Sequence, residues 1–348
     1  MSPTPPPSPV AGPRVTIADV AEKAGVSKAT VSRFLNRRDE LLTPEIAQRV
    51  EAAIAALGYS PSPMAQALKR GRSRLIGLVV ADVTNPYSVA VLRGAEKACQ
   101  EAGYLLMLFN LGDDGQRERE AIEALASYQV EGLILNTLGR DEGAAAAVAR
   151  QGRPVVLVDR RHADMQADFV SLDNAGAARM AAGHLREQGW DDLLFVTEPM
   201  AGVSTRQERE AAFRAFVGGH PELHGATFES AADDAAGLEA ELRRLRARGR
   251  RPAVLASNAV ITLRVCDAVA RLGWRFGHDL GFVGIDETEW APLVGPGLTT
   301  IAQPTDALGR LATACLLERL QGLDVPPRQI LLPGRLVVRR SSARASDQ

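Results

Sequence analysis

Ser27, Lys28, Ala29, Thr30, Ser32 and Arg33 fall within one short stretch, and their side chains are small, polar or basic. Hydroxyls and an ammonium group meet phosphate oxygens, and a guanidinium can donate two hydrogen bonds to the edge of a guanine. The chemistry expected of this set is recognition of nucleic acid. A second set stands further along: Asp82, Asn110, Asn136, Asp159, Asn258 and Asp286 each close a short apolar run. Carboxylates and amides at such points suit a small polar ligand bound beyond the ends of parallel strands. Bond-making chemistry finds no support. There is no GxSxG, Walker loop or HExxH, and His162, His184, His220, His224 and His278 are isolated from one another. Asp113-Asp114 and Asp233-Asp234 read as acidic loops, and no catalytic residue, metal ligand set or cofactor is expected.

The first set needs a helix to carry it. Residues 15–36, VTIADVAEKAGVSKATVSRFLN, read as two short helices joined by a tight turn. Thr16 and Asp19 have the spacing of a capping box, and Ile17, Val20 and Ala21 share one face. Gly25 breaks the first helix and Ser27 is placed to cap the second, expected over residues 28–36 with Val31 and Leu35 inward. A helical hairpin inside a larger core would be the alternative for this stretch taken alone. A third helix opens at Thr43-Pro44-Glu45, carries Ile46, Val50, Ile54 and Leu57, and closes at Gly58. Residues 61–73 follow as a hinge, either a plain linker or a helix formed only on DNA, since so short a helix is marginal alone.

The second set needs a sheet. From Arg74 the runs LIGLVVAD, YLLMLFN, VEGLILNT and PVVLVD alternate with helical stretches near 89–102, 116–128 and 142–151. The rhythm returns in LLFVTE, AVLASN and LGFVGID, with helices near 208–217 and 262–272. Such alternation predicts an α/β fold with parallel sheets covered on both faces, and two halves in series predict two lobes around a cleft.

Composition agrees. The chain has 348 residues and a formal net charge of −1, but residues 1–74 hold 11 Lys/Arg against 6 Asp/Glu while the remainder is acidic. A basic head on an acidic body fits a phosphate-binding module joined to a part that binds no nucleic acid. Cys99, Cys266 and Cys315 are scattered and odd in number, which predicts reduced, packed thiols. No apolar run reaches membrane-spanning length and the start lacks a signal pattern, so the expected compartment is the cytoplasm, with no membrane partner.

From about residue 15 to residue 341 the chain resembles the lactose-repressor (LacI/GalR) family of bacterial transcription regulators. The resemblance rests on VTIADVAEKAGVSKATVSRFLN, GYSPSPMAQAL, VTNPY, VSLDN, FVGID and LTTIAQP, in that order and spacing. It implies an N-terminal three-helix helix-turn-helix domain followed by a two-lobed periplasmic-binding-protein-like α/β domain. It also implies a homodimer or dimer of dimers, a palindromic double-stranded DNA operator, and an effector whose binding changes DNA affinity. The implied layout is a disordered leader over 1–14, the DNA-binding domain over 15–60, the hinge over 61–73 and the effector domain over 74–341. Within the last, the first lobe would take about 74–172 and 302–330, the second about 173–300 and 331–341, leaving 342–348 as a tail.

By the same resemblance Lys28, Ala29 and Arg33 fall where the family reads base edges, while Thr16, Ser27, Thr30, Ser32 and Asn36 suit phosphates. Leu68 falls at a position that wedges into the minor groove. In the cleft, Asp159, Arg209, Asn258 and Asp286 align with effector contacts. Two departures stand out: Ala212 replaces a family glycine, and Ala259 replaces a common aspartate. Arg160 and Arg206 add guanidinium to Arg209 near the same mouth, and guanidinium matches carboxylate bidentately. The expected effector is therefore a sugar or sugar acid. VSRFLN, ELLT and DVTNPYSVAVLRGAE are most similar to repressors that respond to 2-ketogluconate or 2-keto-3-deoxygluconate. A neutral or phosphorylated sugar, a co-repressor mode of action, and a two-lobed solute-binding protein without a transcriptional role remain the alternatives.

Overall fold

The structure is a computed structural model that describes residues 15–35, 42–60, 72–112, 114–137, 143–162 and 165–344. The chain divides into two compact units, residues 1–73 and 74–348. The first holds three helices, α1 (Ile17–Ala24), α2 (Lys28–Leu35) and α3 (Pro44–Leu57). The capping box forms: Asp19 N donates to Thr16 Oγ1 at 3.4 Å, and Thr16 N donates back to Asp19 Oδ2 at 2.7 Å. Gly25 ends α1 at φ +63°, a left-handed conformation that glycine adopts without steric cost. Val20, Ala21, Ala24, Val31, Val50 and Ala53 make the small core. Arg49 on α3 then clamps the turn, donating to Ala24 O from Nε at 3.0 Å and from Nη2 at 2.8 Å. A guanidinium there also sits favourably at the carbonyl end of α1.

The second unit contains two six-stranded sheets. The first uses β1 (Leu75–Val80), β2 (Leu105–Asn110), β3 (Gly132–Asn136), β4 (Val155–Val158), β5 (Asp168–Leu172) and β11 (Gln329–Leu332), in the order β11-β5-β4-β3-β1-β2. The second uses β6 (Asp192–Thr197), β7 (His224–Glu229), β8 (Pro252–Ala256), β9 (Gly281–Ile285), β10 (Thr299–Ala302) and β12 (Arg335–Val337), in the order β12-β10-β9-β8-β6-β7. All pairings are parallel except β10 with β12. Central strands are buried on both faces, which is why they read as unbroken Val/Leu/Ile runs.

Helices α4 (Pro86–Glu101), α5 (Gly115–Ser127) and α6 (Ala144–Arg150) connect the first sheet. Helices α8 (Ser204–Gly218), α9 (Ala235–Ala247) and α10 (Ala259–Arg271) connect the second. The chain crosses between lobes after β5 into α7 (Asn174–Glu187), after β10 into α11 (Thr305–Leu320), and between β11 and β12. Helix α11 packs on α4 at a glycine contact: a Cβ on Gly309 would lie 2.2 Å from Val91 O, and one on Gly94 2.4 Å from Asp306 O.

Two details differ from the expected layout. The first lobe's last strand runs to Leu332 because it pairs with β5 as far as Leu172. Ser342, expected in the tail, is fully buried in the second lobe, where its Oγ meets His184 Nε2 at 2.8 Å and its carbonyl accepts from Trp190 Nε1 at 2.8 Å. A polar chain end becomes part of a core when buried donors need it.

Candidate functional site

In the first unit, Ser27 Oγ accepts from Thr30 N at 3.2 Å, so the start of α2 is fixed by its own sequence. With Val31 buried beneath, Ser27, Lys28, Ala29 and Arg33 are exposed, and Thr30 and Ser32 half-exposed. Thr16 is exposed at the start of α1. Asn36 and Leu68 lie outside the described residues.

In the second unit Asn136, Asp159, Asn258 and Asp286 line one cleft, whereas the other two strand-end residues do not: Asp82 accepts from Thr84 N at 2.8 Å and Asn110 from Val83 N at 3.1 Å, both holding the turn after β1. Asp159 follows β4 and Asp286 follows β9, and both are buried. Each holds a left-handed backbone, φ +67° and +86°, a conformation that costs a non-glycine residue about 1–3 kcal/mol and clusters at functional sites. Asp286 accepts from Ala259 N through Oδ2 at 2.9 Å and from Gln303 Nε2 through Oδ1 at 2.6 Å. Burial pushes its carboxyl up from the ordinary range, against the opposing pull of Arg209 and the Ala259 N–H. The departure from family pattern at Ala259 thus leaves its backbone in use.

The three arginines have different surroundings. Arg209 is buried, donating from Nε to Asn174 Oδ1 at 2.8 Å and from Nη1 to Ser257 O at 2.6 Å. Asn174 reaches Ser171 Oγ at 3.5 Å, and that hydroxyl donates to Asp159 O at 3.2 Å, so Arg209 is wired across to the first lobe. Ala212 leaves Arg209 in place, as its position one turn on would allow. Arg206 Nη2 pairs with Glu198 Oε2 at 2.7 Å, and its Nη1 donates to Pro199 O at 2.7 Å. Glu198 also accepts from Asn258 Nδ2 at 2.6 Å, while Asn258 Oδ1 caps α10 by accepting from Ile261 N at 2.9 Å. Arg160 is different. It has a charge contact with Asp159, Nε to Oδ2 at 3.6 Å, yet its Nε and Nη1 are buried without a hydrogen-bond partner.

Arg160 has company in this. Tyr87 Oη, Asn136 Nδ2 and Gln303 Oε1 are buried and without partners too, and all four residues line one small cavity of about 30 Å³ with Asp159 and Asp286. Burial, with Asp159 adding to it, pushes the Tyr87 hydroxyl well above its usual value, so it is a donor at any ordinary pH. Leaving a buried polar group unsatisfied costs about 1–3 kcal/mol, and a cavity lined by several of them offers hydrogen bonds that a polar molecule can complete.

Residues 16–62 match the family described as "Bacterial regulatory proteins, lacI family", and residues 182–342 the "Periplasmic binding protein-like domain". The HTH-type transcriptional regulator PtxS of Pseudomonas plecoglossicida is 48% identical over 94% of this chain and 96% of its own length. The chain belongs to the lacI family. The HTH-type transcriptional regulator KdgR of Bacillus subtilis (strain 168) is 40% identical over 94% of this chain and 97% of its own. The lac repressor dimer bound to operator and the anti-inducer ONPF superposes with a TM-score of 0.82 at 26% identity, covering 95% of this chain and 99% of that one. This lacI-family protein is accordingly a sequence-specific DNA-binding transcriptional regulator, whose partners are operator DNA and a small-molecule effector.

Sequence reasoning missed Glu198, the acid that occupies Arg206 and Asn258, because LLFVTE reads as a strand end with no hint of what faces it. It also missed Tyr87 and Gln303 as cleft residues, although both sit in motifs that carry the resemblance, VTNPY and LTTIAQP. Among the described residues no His/Cys/Asp/Glu group could hold a metal, and no helix is long and apolar enough to cross a membrane.

Proposed function

We propose that the effector is a sugar acid of the 2-ketogluconate or 2-keto-3-deoxygluconate kind, with its carboxylate on Arg160. The observation that carries this is the buried Arg160 guanidinium with Nε and Nη1 unspent. Arg206 already faces Glu198, and Arg209 is held by Asn174 and Ser257. Of the three arginines near the mouth, Arg160 is therefore the one left for a carboxylate. Arg209, Arg206 and Asn258 then shape the second lobe's wall, and Asp159 and Asp286 accept from sugar hydroxyls. Tyr87, Asn136 and Gln303 supply the remaining polar contacts. The cavity is lined from both lobes, by Asn136, Asp159 and Arg160 on one side and Arg206, Arg209 and Asn258 on the other, so a hexonate held in it touches both. Ligand binding is thereby coupled to lobe angle.

On the DNA side the proposed assignment is Lys28, Ala29 and Arg33 to base edges and Thr16, Ser27, Thr30 and Ser32 to phosphates. Asn36 to phosphate and Leu68 as the minor-groove wedge rest on the family resemblance alone. The regulator acts as a dimer on a palindromic operator, and the effector releases it by binding the DNA-incompetent state more tightly. The loss in operator affinity equals that difference in effector affinity. Thermal melts against keto-sugar acids, aldonates, neutral sugars and sugar phosphates test the ligand class, because a ligand of the native state raises the melting temperature. A shift with keto-sugar acids alone supports the reading; a shift with neutral or phosphorylated sugars alone refutes it.

A further inference from the structure

We propose that His162 is a positioning residue that sets the first lobe's share of the cleft, acting through Thr137 and Glu118; this rests on the effector reading above. His162 Nε2 lies 2.9 Å from Thr137 Oγ1 and 3.8 Å from Glu118 Oε1. Thr137 and Glu118 are fully buried and His162 nearly so. None of the three lines the cavity.

Their place in the chain is what gives them a role. Thr137 follows Asn136, and His162 lies three residues after Asp159 and two after Arg160, so one buried bond joins the two segments that carry these three of the first lobe's cleft residues. Asn136 is the last residue of β3, its carbonyl accepting from Ala81 N at 2.9 Å, while Thr137 and residues 159–162 lie just past β3 and β4, where the ladders end. Asp159 N still donates to Val170 O at 3.0 Å, which anchors the start of the second segment. Arg161 N donates to Ser204 Oγ at 3.1 Å, at the first residue of α8, the helix that carries Arg206 and Arg209. Arg161 also lies over the Phe169 ring at 4.2 Å. His162 is the inward anchor of this segment through Thr137, with the buried Glu118 carboxylate of α5 packed 3.8 Å from its ring nitrogen. An arginine whose guanidinium is to meet a carboxylate needs its backbone held, since misplacement of binding groups by about 1 Å is costly. The His162 contacts hold it.

Hydrogen exchange of the ligand-free full-length protein and calorimetric titration with 2-ketogluconate test this together, on His162→Phe, Thr137→Val, the double variant and His162→Gln. We expect faster exchange in both segments, 133–137 and 157–162, for either single variant, with the rest of the lobe unchanged. Ligand affinity should fall about 10-fold in each, with the double variant no worse than either, because the two residues share one interaction. His162→Gln, which keeps a polar group at that point, should recover most of the loss. Additive losses in the double variant, or faster exchange confined to one segment, would overturn the clamp. If His162→Phe fails to fold, Thr137→Val decides by the same exchange readout. A wild type that binds no sugar acid would refute the effector reading, and the exchange pattern alone would then judge the clamp.

Discussion

Asp159 and Asp286 occupy the same place in the two sheets of the effector unit. Each follows the third strand of its sheet order, β4 or β9, and each has a positive φ. Each donates its backbone N–H at 3.0 Å to the strand beside it, Asp159 to Val170 O and Asp286 to Ile301 O. The lobes thus present one carboxylate apiece from the same strained turn, and the cleft is where the two repeats of the pattern face each other. Asn tolerates left-handed backbone where β-branched residues do not. We expect Asp159→Asn and Asp286→Asn to melt close to wild type while losing effector response. Asp159→Val should lose both, with about 1–3 kcal/mol of added destabilisation from the backbone. Thermal melts run beside ligand titrations separate the two effects.

Arg160 should separate effector response from DNA binding. Arg160→Met keeps much of the side chain's bulk and removes the unsatisfied donors, so the melting temperature should hold or rise. Operator affinity should be unchanged and sugar-acid affinity should fall by about 1.5–3 kcal/mol, the range for hydrogen bonds to charged groups. Arg206→Met should harm the ligand less directly, because it strands Glu198. Calorimetry on both variants reads the difference.

Arg33, exposed on α2, should carry base discrimination. Arg33→Ala should cost about 1–3 kcal/mol on the preferred operator and relax one base position. Lys28→Ala, if Lys28 reads base edges as well, should act in the same selective manner; a uniform loss across sequences with a shallower salt slope would mark it as a phosphate contact. Gel shifts at several salt concentrations with single-base operator variants provide the measurement.

The parts of this design that depend on neighbours in sequence were legible in it. The Thr16–Asp19 capping box, the Gly25 turn and the Thr43-Pro44 start form as their spacing dictates, since capping is decided within four residues. Central strands announced themselves as apolar runs because both their faces are covered. Helices α7 and α11 left no comparable signal, since α7 mixes alanine and glycine with charge and α11 is buried along much of its length, which blurs its period; α9 does carry a stripe, Leu238, Leu242 and Leu245, which the sequence reading passed over. The cleft residues after β4, β8 and β9 could be named, but their pairing could not. That Arg206 meets Glu198, Arg209 meets Asn174 and Arg160 meets only Asp159's charge depends on side chains brought together from distant turns.

Acid should weaken the effector unit through Asp168. Burial alone would raise its carboxyl, but bidentate hydrogen bonds from Arg319 and Arg328, and the Arg328 N–H at 2.8 Å, hold it well below the ordinary carboxylate range. A folded pKa below the unfolded value of 3.8 means the unfolded chain binds the proton first. The stabilisation is therefore complete above the unfolded value and is lost as pH falls through the window below it. We expect Asp168→Asn to melt below wild type near neutrality, with the gap closing as pH drops under 4, by calorimetry across that range.

The α4–α11 crossing should tolerate no methyl group. Gly309→Ala would place a carbon against Val91 O and the Ala95 amide, forcing the helices apart. Overpacking of this kind typically costs about 1–3 kcal/mol, and denaturant unfolding should show it with effector contacts untouched.

The central claim is that a keto-sugar acid held by Arg160 releases this regulator from its operator. The direct measurement is fluorescence anisotropy of a labelled operator with the full-length protein, titrated with 2-ketogluconate, 2-keto-3-deoxygluconate and glucose, for wild type and Arg160→Met. The account predicts release of wild type by a keto-sugar acid but not by glucose, with Arg160→Met staying bound throughout. Release of Arg160→Met at the same concentrations as wild type, or release of wild type by glucose alone, would contradict it.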